Sequence, residues 1–455
     1  MTNLARKRLN YVFKDEPSFA PVTRKQVAGA DTVLKEIEPL IERVKSFSKE
    51  GAELPCGAVF YGPRGTGKTY LSRFFATTCK ARFVDIRGFP IPESSEDRIL
   101  MPQDIGDLIR LGLLYIKKTG KPIVFFYDEI EEADDEIFEK LRVEIDGIRG
   151  RVKGMFFLFT SSVEEPEMLD PGLFRSGRVS VHVPFLYPSA RCREDLLGYY
   201  VSRVSHEKDM DLASMAQLLP DDVTPADIMQ LVSDAYSDST FEQSGKTPKL
   251  EQKHLVGRCL KKITGFVTDT DLDEKNRRVV AFHEVGHAVV ARALGLPVQA
   301  VILLPAIDDG AFSYGKTIIN PQESKLVTID ICLSLVAAAF GASAVEKLFG
   351  FKPHSGSASD WSSATAGAED IVGSLLYGSN RSKFLGPMVF NRDMREYSES
   401  VRLIAERDIV KLLKDARDKA WRIVKKVGKR KLEKIAEALM DKKVLLQKEL
   451  DELLK

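Results

Sequence analysis

The sequence predicts two folds in series: an α/β domain on a parallel sheet with a small helical cap, then a mainly α-helical domain. Three observations predict it. Between about residue 24 and 188, short apolar runs alternate with helix-patterned stretches, the rhythm of parallel strands joined by crossover helices. One of those runs, CGAVFYG (56–62), passes straight into the glycine-rich stretch Gly62-Pro-Arg-Gly-Thr-Gly-Lys-Thr69, and KTYLSRFFATTC then carries helical spacing. Beyond about 189 the strand patterns thin out and helical spacing takes over.

Taken in order, residues 1–20 are polar and mixed and predict a loose arm. Residues 21–188 form the α/β part, with strands expected at CGAVFYG, ARFVDI (81–86), PIVFFYDEI (122–130), MFFLFTSS (155–162) and VSVHVPF (179–185). Residues 189–265 contain REDLLGYYVSRV, LASMAQLL, TPADIMQLVSDAY and LEQKHLVGRCLKKI, which suit a helical lid. The polar, turn-forming stretch around 266–275 is read as a linker. Residues 276–455 are mainly helical, with one strand-rich insert at 298–319.

A chain of 455 residues has room for two to four domains. Lys and Arg number 67 against 66 Asp and Glu, a formal net charge of +1. That balance predicts no nucleic acid and no anionic membrane among the partners. The basic run KKVGKRK (425–431) alternates with apolar residues and reads as a solvated helix face. Five widely spaced cysteines without C-x-x-C predict reduced thiols and a cytoplasmic setting. No signal-peptide pattern is visible, and ICLSLVAAAFGASAV (331–345) reads as a buried helix, so no integral membrane segment is expected.

The glycine-rich stretch fits G-x-x-x-x-G-K-[ST] between a strand and a helix, the setting of a phosphate-binding loop. Gly62, Gly65, Thr66 and Gly67 let backbone N–H groups turn toward phosphate oxygens. Lys68 is expected on the β- and γ-phosphates of ATP and Thr69 on Mg2+. Asp128 and Glu129 close an apolar strand some 60 residues later. There an aspartate can hold Mg2+ and the next glutamate can orient the attacking water.

His283-Glu284-Val285-Gly286-His287 lies in the helix-patterned VVAFHEVGHAVVARAL. Residues four apart share a helix face, so both imidazoles can reach one zinc ion, with Glu284 beside them as general base. A catalytic zinc needs a third protein ligand. On residue type alone His354 qualifies.

At these motifs the chain resembles the FtsH-type ATP-dependent zinc metalloproteases, a family of AAA+ ATPases. The likeness runs through VAGADTVLKEIEPL (27–40), LPCGAVFYGPRGTGKT, EIDGI (144–148) and LDPGLFRSGRVSV (169–181). It resumes at FGASAVEKLFG (340–350), HSGSASDWSSATAGAEDIV (354–372) and FLGP (384–387). The resemblance implies an AAA+ domain with helical lid before a zinc metallopeptidase domain. It implies Asp360 as third zinc ligand, preferred to His354. It implies Arg175 and Arg178 as fingers reaching a neighbour's nucleotide in a homohexamer, and protein substrates. Substrate is expected to add as an extended strand beside AFSYGKTI (311–318). Three departures stand out: Arg64 where proline is usual, Ser161, Ser162 or Glu164 in place of a sensor asparagine, and Met101-Pro102 at the pore-loop position. Family members usually start with membrane anchors, and this chain reads as a soluble form. The expected function is ATP-dependent unfolding, translocation and zinc-dependent cleavage of proteins. The alternatives are an ATP-driven remodelling ring without useful proteolysis, and an ATP-independent peptidase on a nucleotide-gated scaffold.

Overall fold

A computed structural model describes residues 3–13, 20–47, 56–91, 100–148, 152–165, 168, 170–175, 177–243, 247–264, 266–267, 272–304, 306–308, 311–320, 327–352, 356–373 and 398–455. The chain divides into two compact units: Met1–Ala216 with Pro220–Leu255, and Gln217–Leu219 with Val256–Lys455.

The first unit opens with helices α1 (Asn3–Phe13) and α2 (Asp31–Lys45). Strands β1 (Gly57–Tyr61), β2 (Arg82–Asp85), β3 (Ile123–Tyr127), β4 (Met155–Ser161) and β5 (Val179–Pro184) form one sheet in the order β2-β3-β4-β1-β5, every pair parallel. Helices α3 (Lys68–Cys79), α4 (Pro102–Thr119) and α5 (Asp135–Ile148) connect them. β3 and β4 are buried along their whole length, as strands covered on both faces must be, so they read as continuous apolar runs. Successive residues serve opposite layers: Phe125, Phe157 and Phe159 join one core cluster, and Val124, Phe126, Phe156 and Leu158 the other. β1 sits between β4 and β5, which gathers the carboxyl ends of β1, β3 and β4 around one crevice.

Residues 3–13 are not loose. Val12 is fully buried, and Arg8 pairs with Asp104 and, at 2.7 Å, with Asp107, both on α4. The Arg82 guanidinium takes the otherwise orphaned carbonyls of Tyr11 and Val12 at the end of α1. These partners lie 70 to 99 positions away, so local polarity gave no hint of them.

Helices α6 (Ala190–Val201), α7 (Leu212–Leu218), α8 (Pro225–Glu242) and α9 (Gln252–Thr264) follow. Thr224 and Asp227 cap the start of α8 reciprocally. That start touches the glycine-rich loop, since Ala226 N donates to the Gly65 carbonyl at 3.3 Å.

The second unit is built around α10 (Glu274–Ala293). Residues Ala281 to Ala291 of this helix are all buried, as expected of a helix packed on every side. Its surroundings are β7 (Val298–Ile302), β10 (Lys316–Ile319), α11 (Ile329–Ala339), α12 (Gly341–Phe349), α13 (Gly356–Gly373), α14 (Glu399–Val427) and α15 (Lys429–Lys442). The chain closes with β11 (Val444–Leu446) and α16 (Gln447–Leu454). β10, β7 and β11 form an antiparallel sheet in that order, and β6 (Phe266–Val267), β8 (Ala306–Asp308) and β9 (Ala311–Ser313) form another. Part of the stretch expected as linker is therefore a strand, with Phe266 opposite Ile307.

One stretch, Ile329–Phe349, is long and apolar enough to cross a membrane by length and composition. It is broken at Phe340, where α11 ends and α12 begins, and it supplies Val336, Ala337, Ala338 and Val345 to the core. α10 and α12 cross with no side chain between them. A Cβ on Gly286 would sit 2.5 Å from the Gly341 carbonyl oxygen, and a Cβ on Gly341 would sit 2.2 Å from that of Gly286. Gly341→Ala is expected to destabilise this unit by about 1–3 kcal/mol through overpacking. Both tryptophans, Trp361 and Trp421, lie in this unit, so urea unfolding followed by tryptophan emission reads it selectively. An unchanged midpoint contradicts the contact.

Candidate active sites

The first site forms where β1 ends. Gly62, Gly65 and Gly67 have φ of 129°, 79° and 94°, all in the region that favours glycine. A Cβ on Gly62 would also meet the Phe185 carbonyl oxygen at 2.2 Å. Lys68 heads α3 and is buried. Its Nζ donates to the carbonyls of Gly62 (2.7 Å) and Pro63 (2.8 Å). Burial lowers its pKa, opposed by Glu131, Asp128 and Glu129. Thr66 Oγ1 closes the loop onto the Pro63 carbonyl at 2.8 Å.

Thr69 Oγ1 donates to Asp128, 2.9 and 3.1 Å from its two oxygens. The hydroxyl and carboxylate expected around Mg2+ are thus together. Thr160, at the end of β4, donates to Asp128 Oδ1 at 2.5 Å and accepts from Glu129 N at 2.8 Å. Sequence reasoning missed Thr160; its one signal is a hydroxyl ending the apolar run MFFLF. Of the residues considered for the sensor, Ser161 accepts from Val163 N, Ser162 donates to Glu131, and Glu164 is exposed. Glu129 has φ 52°, strained for a residue with a Cβ, and its carboxylate lies 3.7 Å from the Arg64 guanidinium. Beside the loop is a cavity of about 350 Å3 walled by Val27, Gly29, Tyr70, Tyr199 and Met229, an apolar, aromatic setting for a planar base.

The second site lies on α10. His283 and His287, one turn apart, bring their Nε2 atoms to 3.3 Å. Asp360, on α13, places Oδ2 3.2 Å from each. The outward ring nitrogens are held from behind. His287 Nδ1 is 2.9 Å from the Ala338 carbonyl, which only accepts, so that nitrogen carries the proton. His283 Nδ1 is 2.8 Å from Glu346 Oε1, and Ser357 donates to the other Glu346 oxygen. Both Nε2 atoms therefore face Asp360. Glu346 was missed by sequence reasoning, although a lone acid in the apolar FGASAVEKLFG was a signal.

This trio fits a metal ion. Asp360 Oδ2 is buried and satisfies no hydrogen-bond geometry despite its two close neighbours. Burial pushes the imidazoles down, but Asp360 and Glu346 outweigh it and lift His283 to about 10. The same imidazoles hold the Asp360 carboxyl well below its usual range against the effect of burial. The site is built for positive charge, and two imidazoles with one carboxylate are a zinc donor set. His354 and FLGP (384–387) lie outside the described residues. Glu284 is buried beside the trio, and Thr317 Oγ1 on β10 lies 2.7 Å from its Oε2.

A family model for the ATPase family associated with various cellular activities (AAA) matches residues 58–187, and one for peptidase family M41 matches residues 270–453. The ATP-dependent zinc metalloprotease FtsH of Pseudothermotoga lettingae is 29% identical over 97% of this chain and 72% of its own length. FtsH of Thermotoga maritima is 27% identical over 95% of the chain and 73% of its own. FtsH of Caldicellulosiruptor bescii is 29% identical over 94% and 71%. This chain belongs to the FtsH-type AAA+ zinc metalloproteases. Proteins of this type use zinc in the protease part and ATP with Mg2+ in the AAA part.

Other residues matched to FtsH-type motifs are less gathered. Arg175 is exposed. Arg178 is engaged within its own unit: Nε donates to Asp146 at 2.8 Å, and the guanidinium also meets the Gly172 carbonyl. Met101 is 44% exposed at the head of α4.

Glu346→Gln keeps the size of the His283 partner and removes its charge. Zinc affinity is expected to fall about 10- to 100-fold, read by competition with a chromogenic chelator. Wild-type affinity in this variant would mean that Glu346 does not support the ligand.

Proposed function

We propose that this FtsH-type chain unfolds and translocates proteins with ATP and cuts them at a zinc held by His283, His287 and Asp360. The observation that carries the reading is the convergence of Asp360 on the two imidazoles, with Glu284 alongside. Zinc, when bound, supplies Lewis acidity at the scissile carbonyl. Glu284 takes the proton of the attacking water and delivers it to the leaving nitrogen. Among the described residues β10 ends its sheet, and its free side suits main-chain pairing with an extended substrate.

In the ATPase part, backbone N–H groups of Gly62, Gly65, Thr66 and Gly67 cradle phosphate, Lys68 offsets its charge, and Thr69 with Asp128 holds Mg2+. Glu129 orients the attacking water. Arg175 and Arg178 act toward a neighbouring subunit's nucleotide, which requires a ring, and we assign a homohexamer. Arg178 must exchange Asp146 for phosphate to do so, whereas exposed Arg175 has no such tie to Asp146. Leu403 and Val410 leave apolar surface on α14 that suits subunit packing. The balanced charge supports protein substrates and no nucleic acid. The five free thiols suit a reducing, cytoplasmic compartment.

Casein cleavage with zinc, with and without ATP, tests the reading. Cleavage is expected to require ATP, to fall about 100- to 10,000-fold in Glu284→Gln, and to be lost in Lys68→Ala. Cleavage persisting in Lys68→Ala contradicts coupling. ATP hydrolysis without any cleavage would sink the protease reading in favour of a remodelling ring.

A further inference from the structure

We propose that Thr317 is the positioning residue for the general base, and that it ties base orientation to the substrate-pairing strand. The inference rests on the protease reading above. Glu284 is 6% exposed and sits on α10. Its Oε2 lies 2.7 Å from Thr317 Oγ1. The same hydroxyl is 3.0 Å from the Glu284 main-chain carbonyl, which already serves the helix ladder. One O–H donates to one acceptor at a time, and the carboxylate is the closer, charged and stronger partner.

A second observation points the same way. A Cβ on Gly315 would lie 2.7 Å from Glu284 Cγ and 2.9 Å from its Oε1. The turn leading into β10 therefore closes one side of the carboxylate, while Thr317 fixes its other oxygen. A glutamate has three side-chain torsions, and a base must sit within hydrogen-bond reach of its proton in the reacting complex. With Oε2 taken by Thr317, Oε1 is the oxygen left for proton transfer.

Thr317 also has a place in the sheet. It pairs with Val301 of β7, and β10 has no further strand on its other side among the described residues. The strand that presents its free side to substrate thus carries the hydroxyl that holds the base. Movement of β10 as substrate pairs is passed to Glu284 through a single hydrogen bond. Neighbouring Lys316 and Ile318 point to the opposite face of the pleat, so Thr317 alone of these three serves this role.

The test uses the full chain with zinc and ATP, a quenched fluorogenic peptide, and a peptide hydroxamate whose acidic proton must be accepted on binding. Thr317→Val keeps the shape and removes the hydroxyl; Thr317→Ser keeps the hydroxyl. In Thr317→Val, kcat is expected to fall about 10- to 100-fold with KM within about twofold, the loss of one hydrogen bond to a charged group. Hydroxamate affinity is expected to fall about tenfold by calorimetry, with zinc still one per chain. Thr317→Ser is expected to stay within about threefold of wild type on both readouts. Wild-type kcat and hydroxamate affinity in Thr317→Val would overturn the proposal. Equal losses in the valine and serine variants, with zinc loss, would overturn it in favour of packing. A wild-type chain that binds zinc and cleaves nothing would overturn the protease reading itself, a result separate from either of these.

Discussion

The crossing of α10 and α12 at Gly286 and Gly341 is the contact on which the metal-binding unit depends. Backbone against backbone is the closest that two helices can pack, and only paired glycines permit it. That closeness delivers Glu346 to His283 from α12, while the end of α11 delivers the Ala338 carbonyl to His287. Both imidazoles are then locked in tautomer and orientation, and α13 has only to add Asp360. A side chain at the crossing would separate the helices and remove the support behind one ligand before it touched the ligand itself.

The ATPase part solves a comparable problem with strands. Parallel order places the ends of β1, β3 and β4 side by side: β3 runs into Asp128, β4 ends at Thr160 and Ser161, and β1 leads into the loop before the helix that carries Thr69. Asp128 receives hydroxyls from Thr69 and Thr160. Buried polar groups need partners, and Thr160 also accepts from Glu129 N, which ties the end of β4 to the end of β3. The arrangement holds the carboxylate still without burying an unpaired charge.

The parallel sheet, the phosphate loop and the histidine pair were legible because each rests on local spacing: alternating apolar runs, a glycine pattern between strand and helix, and two histidines on one helix face. Asp360 was legible through family likeness alone, since 73 residues separate it from His287 in the sequence. Glu346, Thr317 and Thr160 were not read. Each is an ordinary residue type whose meaning comes from a partner on another element, and no periodicity reports that. The helix over 3–13 escaped for the same reason. Its polar surface is solvent-like in composition, and its anchors lie on β2 and α4.

That helix gives one carboxylate two duties. Asp104 Oδ2 accepts from the Met101 N–H and so closes the first turn of α4, while Oδ1 meets the Arg8 guanidinium on α1. Arg8 on α1 and the exposed Met101 at the head of α4 are therefore joined through one side chain. Removing the Asp104 carboxylate would thus loosen both the seat of α1 and the first turn of α4.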